Sequence, residues 1–133
     1  MAEYSYRTSA GDVKRFLKEL RKILDSGNYS LEILPYKACE GPNDEYCTLK
    51  TMDYLDYDDE DVIEELIKLT EKDYMESMAD SMNKLCNPFH VFGRVIQNKE
   101  IYIKVKIRDI VNGEVFCISF HFAKYPLKEF PYK

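Results

Sequence analysis

The stretch EIYIKVKIRDIVNGEVFCISFHF, residues 100–122, decides the fold of this chain. Its first half alternates strictly, with Ile101, Ile103, Val105 and Ile107 on one side and Tyr102, Lys104, Lys106 and Arg108 on the other. That period of two is the pattern of a half-buried strand. Asn112-Gly113 is the dipeptide of a two-residue type I′ hairpin turn. Residues 114–122 then read as the returning strand, with Phe116, Ile118, Phe120 and Phe122 on one face and Val115, Cys117, Ser119 and His121 on the other. A two-residue turn makes residues whose numbers sum to 225 face each other. Val105 then meets Phe120 and Ile107 meets Ile118, while Lys104 meets His121, Lys106 meets Ser119 and Arg108 meets Cys117. One sheet face is thus expected to carry Tyr102, Lys104, Lys106, Arg108, Ser119 and His121 together.

Working outward toward the N-terminus, residues 89–96 alternate as a further strand, and Asn98 and Lys99 mark a tight connection. A three-residue loop at 97–99 aligns Val91 and Val95 with Ile101 and Ile103. It also puts His90, Phe92 and Arg94 on the polar face; a two-residue loop reverses this. Before residue 80 the period changes to 3.6. Residues 12–26 read as an amphipathic helix through Val13, Phe16, Leu17, Leu20, Ile23 and Leu24, ended by Gly27. Residues 30–34 suit a short strand, confined to an edge by Pro35, and 37–44 form a polar loop. A short helix is expected over 45–54 with Tyr46, Leu49 and Met52 inward, and a clearer one over 59–69. Thr70 to Asp73 has the spacing of a capping box and is expected to start another helical segment to about Met78. The order helix, strand, helices, strand meander is that of an α+β fold, with N-terminal helices packed on an antiparallel β-meander. A length of 133 residues suits one domain.

With 45% hydrophobic and 32% charged residues, the chain falls outside the disordered and low-complexity classes. No apolar run approaches a membrane span, and the first residues lack a secretory signal's apolar core, so a cytoplasmic protein is expected. Cys39, Cys47, Cys86 and Cys117 are scattered without close pairs, which argues against a metal site and against disulfides; Cys117 reads as a packed core residue. No metal and no cofactor are expected. The net charge of −5 argues against a nucleic-acid partner until it is divided. Residues 1–37 carry +2, 38–80 carry −12 and 81–133 carry +5. The run Asp58 to Asp61 fits the positive end of a helix, and the basic residues concentrate on the strand face described above.

That face has two readings. It is the solvated side of a half-exposed sheet, or it is an anion-binding surface. In the second reading Lys104, Lys106 and Arg108 hold phosphate, Phe92 and Tyr102 stack on bases, and His121 exchanges a proton near neutral pH. Without a carboxylate cluster, phosphodiester chemistry there would be metal-free. The RNA 2′-hydroxyl would then be the nucleophile, needing a base, an acid and cations.

Three stretches carry a resemblance to a known family. Leu69 to Met78 (LTEKDYMESM) is similar to the pattern L-S/T-x-x-D-F/Y-x-x-S-M. Ile101-Tyr102-Ile103-Lys104 and Ile118-Ser119-Phe120 are similar to its V-Y-L/I-K and V-S-F strands. In this order and spacing, over about residues 12–122, the chain resembles the MqsR family of type II toxin–antitoxin ribonucleases. The resemblance implies a RelE-like fold and an mRNA endoribonuclease held inactive by a cognate antitoxin, a helix-turn-helix protein. It makes Tyr102 the active-site tyrosine and puts His121 at the family's basic position after the last strand's Phe. With the face above, the candidate catalytic residues are Tyr102, Lys104 and His121. The candidate RNA-binding residues are His90, Phe92, Arg94, Lys106, Arg108 and Ser119. The chain departs from the family at Glu76, where the family has lysine, and near Phe89 or His90, where a polar residue is expected. Residues 123–133 extend past the pattern. The alternatives are a non-catalytic RNA- or protein-binding module of the same fold, regulated by a partner, and an unrelated small-molecule-binding domain.

Overall fold

The computed structural model describes residues 5–80 and 87–133. The elements are β1 (Ser5–Tyr6), α1 (Ala10–Asp25), β2 (Ser30–Ile33), α2 (Thr48–Leu55), α3 (Asp59–Lys68), a single 3-10 turn (Glu71–Asp73), β3 (Tyr74–Met78), β4 (Phe89–Ile96), β5 (Lys99–Asp109) and β6 (Glu114–Phe122). The six strands form one sheet in the order β1-β3-β4-β5-β6-β2. All neighbours are antiparallel except β2 and β6. This is the expected α+β architecture, with β2 at an edge.

Local signals account for the helix ends. Ser9 accepts a hydrogen bond from the Asp12 amide and starts α1, and Gly27 at φ +74° follows its end. Asp58 and Asp61 cap α3 reciprocally at 3.0 Å, so the acidic run is a helix start. The apolar stripes of α1 and α3 (Val13, Leu17, Leu20, Leu24, Val62 and Leu66) pack with Leu69 on a sheet face made of Phe92, Ile101, Ile103, Val105, Ile107, Val115, Cys117 and Phe120.

Four expectations are corrected. First, the Thr70–Asp73 capping box forms, but only one 3-10 turn follows. Residues 74–78 become β3, because pairing with β4 satisfies their backbone across the sheet. Second, α2 buries Thr48, Thr51 and Leu55, while Leu49 is exposed and Met52 only partly buried. The reason is an unpaired edge. β2 accompanies β6 only as far as Cys117. Beyond it, the amides of Phe120 and Phe122 donate to the hydroxyls of Thr48 and Thr51, each at 3.0 Å, so the helix caps the strand edge. Thr51→Val is expected to lower the unfolding free energy by about 1 kcal/mol, the lower end of the cost of an orphaned donor, because this amide is only partly buried. An unchanged urea midpoint would mean that this edge amide needs no hydroxyl.

Third, β4 and β5 are joined by two residues, Gln97 and Asn98, both at positive φ (51° and 66°), so Ile96 pairs with Lys99 and Arg94 with Ile101. Positive φ at both positions is the type I′ geometry that suits strand twist. His90, Phe92 and Arg94 therefore lie on the helix-covered face, opposite to the expected placement. Phe92 is fully buried. Arg94 reaches Glu65 at 3.7 Å and Asp73 at 3.4 Å.

Fourth, Asn112-Gly113 does not form a two-residue turn. The loop is 110–113, with only Gly113 at positive φ (65°). Asp109 closes it by accepting from the Asn112 amide at 3.1 Å and side chain at 2.8 Å. The register becomes Tyr102 with His121, Ile103 with Phe120 and Lys104 with Ser119. It then slips at Ile118, giving Val105 with Cys117 and Lys106 with Phe116. The extra residue at this bulge reverses the face alternation along β6. Val115 and Cys117 before it, and Phe120 and Phe122 after it, all join the core side. A second slip at Arg108 precedes the loop.

Candidate functional site

The face of the sheet away from α1 and α3 carries the side chains of interest. Across its centre, register aligns Glu76, Val91, Lys104 and Ser119 in one cross-strand row. One step along, Gly93, Tyr102 and His121 form the next row. Tyr102 and His121 stack, with ring centroids 5.2 Å apart and planes 15° from parallel.

Tyr102, Lys104, Ser119 and His121 line one cleft of about 590 Å³. Its other walls come from the loop containing Lys37, Cys39, Glu40 and Asp44, from Met75, and from the tail residues Ala123 to Lys128. The three candidate catalytic residues are thus brought together. The hydroxyl of Ser119 is buried and has no hydrogen-bond partner among the described residues. An orphaned donor lining a cleft is the mark of a group held ready for a ligand or an ordered water.

The protonation of His121 follows from its contacts. Its Nδ1 lies 2.9 Å from the Phe122 carbonyl oxygen, which can only accept, so Nδ1 carries the proton and Nε2 the lone pair. Burial is the main cause holding this imidazole below its ordinary pKa, with Lys37 and Lys124 adding to it. The Phe122 carbonyl and Glu40 act the other way. A neutral histidine with Nε2 as acceptor is the form a general base requires.

Lys106 and Arg108 point to this face but are already engaged. Lys106 is 3% exposed, pairs with Asp80 at 2.5 Å and lies over the Phe89 ring. Arg108 pairs with Glu32 at 2.7 Å and stacks on Phe116 at 3.9 Å. The basic face expected from the sequence is therefore partly neutralised by carboxylates from the acidic segment and from β2. Lys37, Lys124 and Lys128 also line the cleft, with Lys37 paired to Glu40 at 3.7 Å and Lys124 over the Tyr46 ring at 5.7 Å. The sequence reading missed them because they sit on irregular segments without periodicity.

His90 sits elsewhere, in a buried polar chain. Its Nδ1 is 2.7 Å from Ser77 Oγ, which also contacts Tyr74 Oη and Thr8 Oγ1 at 2.7 Å. Phe16 packs on the ring at 4.3 Å. Burial pushes the His90 pKa down to about 4. A histidine that stays neutral when folded binds fewer protons than the unfolded chain between its folded value and 6.5, so stability falls as pH falls through that window. His90 alone is expected to remove about 3 kcal/mol between pH 7 and pH 4. Urea unfolding of wild type against His90→Phe checks this; an equal pH dependence in both would refute it.

Cys47 and Cys117 are buried and Cys39 is exposed, all free; burial lifts the Cys117 thiol to about 12. Cys86 lies outside the described residues. Among the described residues, no group of three His, Cys, Asp or Glu is arranged to hold a metal ion, and no helix is long and apolar enough to cross a membrane.

No curated protein matches the chain at significance. A family model does match. It is described as motility quorum-sensing regulator, toxin of MqsA, and it covers residues 40–122, more than half of the 133-residue chain. That span holds α2, α3 and the whole β3–β6 sheet with Tyr102, Lys104, Ser119 and His121. The chain belongs to the MqsR toxin family and is the toxin of a toxin–antitoxin system.

Proposed function

We propose that this toxin is a metal-independent endoribonuclease acting on mRNA through the 2′-hydroxyl. The observation that carries the reading is the convergence of Tyr102, Lys104, Ser119 and His121 on one cleft, with His121 Nε2 left as acceptor. His121 takes the 2′-hydroxyl proton as that oxygen attacks the adjacent phosphorus. Lys104 and the orphaned Ser119 hydroxyl balance the charge on the phosphorane oxygens. Tyr102 donates its phenolic proton to the departing 5′-oxygen. The products are a 2′,3′-cyclic phosphate and a 5′-hydroxyl, so the chain's own residues supply base, acid and cation.

The remaining partner follows from family membership: a cognate antitoxin, proposed to be a helix-turn-helix protein, with both acting in the cytoplasm. The whole of residues 1–133 is taken to work as one domain. The test is incubation of purified protein with a long RNA in the presence of chelator. Fragments with cyclic phosphate ends support the reading. No cleavage, together with no growth arrest on expression, overturns it in favour of a non-catalytic binding module.

A further inference from the structure

Residues 123–133 lie beyond the part of the chain that matches the family, yet they are fastened to the sheet at several points. The Ala123 amide donates to the Glu100 carbonyl at 3.0 Å and the Leu127 amide to the Glu100 carboxylate at 3.3 Å. Leu127 and Phe130 fill the space over Gly93, where an added Cβ would meet them at 2.7 and 3.0 Å. Tyr132 stacks on Tyr74 at 5.8 Å and donates its hydroxyl to the Thr8 carbonyl. A tail held this way is a wall of the molecule. Between its anchors Lys124, Tyr125, Pro126 and Lys128 line the cleft that holds Tyr102, Lys104 and His121.

The exposure pattern of this tail is selective. Leu127, Phe130 and Tyr132 turn inward, whereas Tyr125 is 79% exposed at the cleft. Pro126 restricts the backbone of the residue before it to extended conformations, so the Tyr125 ring is presented with little backbone freedom to lose. An exposed aromatic ring between two lysines has the composition of a single-strand nucleic-acid contact, where the ring stacks a base and the ammonium groups meet phosphates.

We propose that the 123–128 segment is a substrate-binding strap, with Tyr125 stacking on a base beside the scissile phosphate and Lys124 and Lys128 contacting the flanking phosphates. This rests on the ribonuclease reading of the same cleft, and the test separates the two. The probe is a fluorescent single-stranded oligonucleotide carrying 2′-fluoro groups, which binds but offers no 2′-hydroxyl. Cleavage of the corresponding RNA is measured alongside.

Tyr125→Ala is expected to weaken probe binding about tenfold, with Tyr125→Phe restoring it. Lys124→Ser and Lys128→Ser are each expected to lower the slope of log affinity against log salt by about 0.7. Gly93→Val, which keeps the strap's own residues but displaces Leu127 and Phe130, is expected to weaken binding as Tyr125→Ala does. Unchanged probe affinity in Tyr125→Ala overturns the strap, even if that variant weakens only the antitoxin complex. Faster cleavage by Tyr125→Ala also overturns it, since the tail would then be inhibitory. If wild type binds the probe through Tyr125 but cleaves no RNA, the strap stands and the ribonuclease reading falls.

Discussion

His121→Ala is expected to slow RNA cleavage by about 10²–10⁴-fold, the usual cost of losing a general base. The side chain stands at the cleft, stacked on Tyr102, with Nδ1–H fixed by the Phe122 carbonyl. No other histidine can replace it, because His90 is buried on the opposite face against Phe16 and Ser77. The pH profile sharpens the assignment. A base must be unprotonated, and burial holds the His121 pKa below its usual 6.5. The rate should therefore rise with pH on an acidic limb lying below pH 6.5 and be level by neutrality. His121→Ala should lose that limb as well as the rate. Undiminished cleavage by the variant, or a limb centred at pH 7 or above, would remove His121 from the mechanism. Circular dichroism of the variant separates this outcome from unfolding.

Phe92→Ala is expected to destabilise the protein by about 3–5 kcal/mol, the range for truncating a buried phenylalanine. Phe92 is fully buried, edge-on to Tyr74 at 5.8 Å and stacked near Phe16 at 6.3 Å. Urea denaturation measures the loss. The same variant separates the sequence expectation from the observed register. A base-stacking Phe92 would be truncated with little loss of stability and a clear loss of RNA affinity. The core position requires the reverse, with affinity per folded molecule unchanged.

The charge pattern acquires a physical meaning from these pairings. The net −5 divides into an acidic middle and a basic end, but the two are not separate surfaces. Asp80 neutralises Lys106, and Glu65 and Asp73 engage Arg94. Lys37, Lys104, Lys124 and Lys128 line the cleft, and Glu40 and Asp44 line it with them, Glu40 lying 3.7 Å from Lys37. RNA affinity should accordingly be modest, because few phosphates can be neutralised.

The sequence by itself determined the α+β class, the helix over 12–26, the helix start marked by the acidic run Asp58–Asp61 and the three long strands, because burial on one side imprints a period of 3.6 or 2 on each segment. It also determined that Tyr102 and Lys104 share a face, since they are two residues apart on one strand. What it left open was how strands face one another. That depends on loop and bulge conformations, which amount to one or two residues more or less and leave no periodic mark. The two-residue turn formed at Gln97-Asn98 and not at Asn112-Gly113, which sent His90, Phe92 and Arg94 into the core side. The bulge at Ile118 put Ser119 beside Lys104 and His121 beside Tyr102. Segment 74–78, helical by its capping signal, became a strand because β4 offered its backbone partners. The tail reached the cleft through Glu100, Gly93 and Tyr74, contacts between residues some 30 to 60 positions apart. Tertiary packing alone could bring them together.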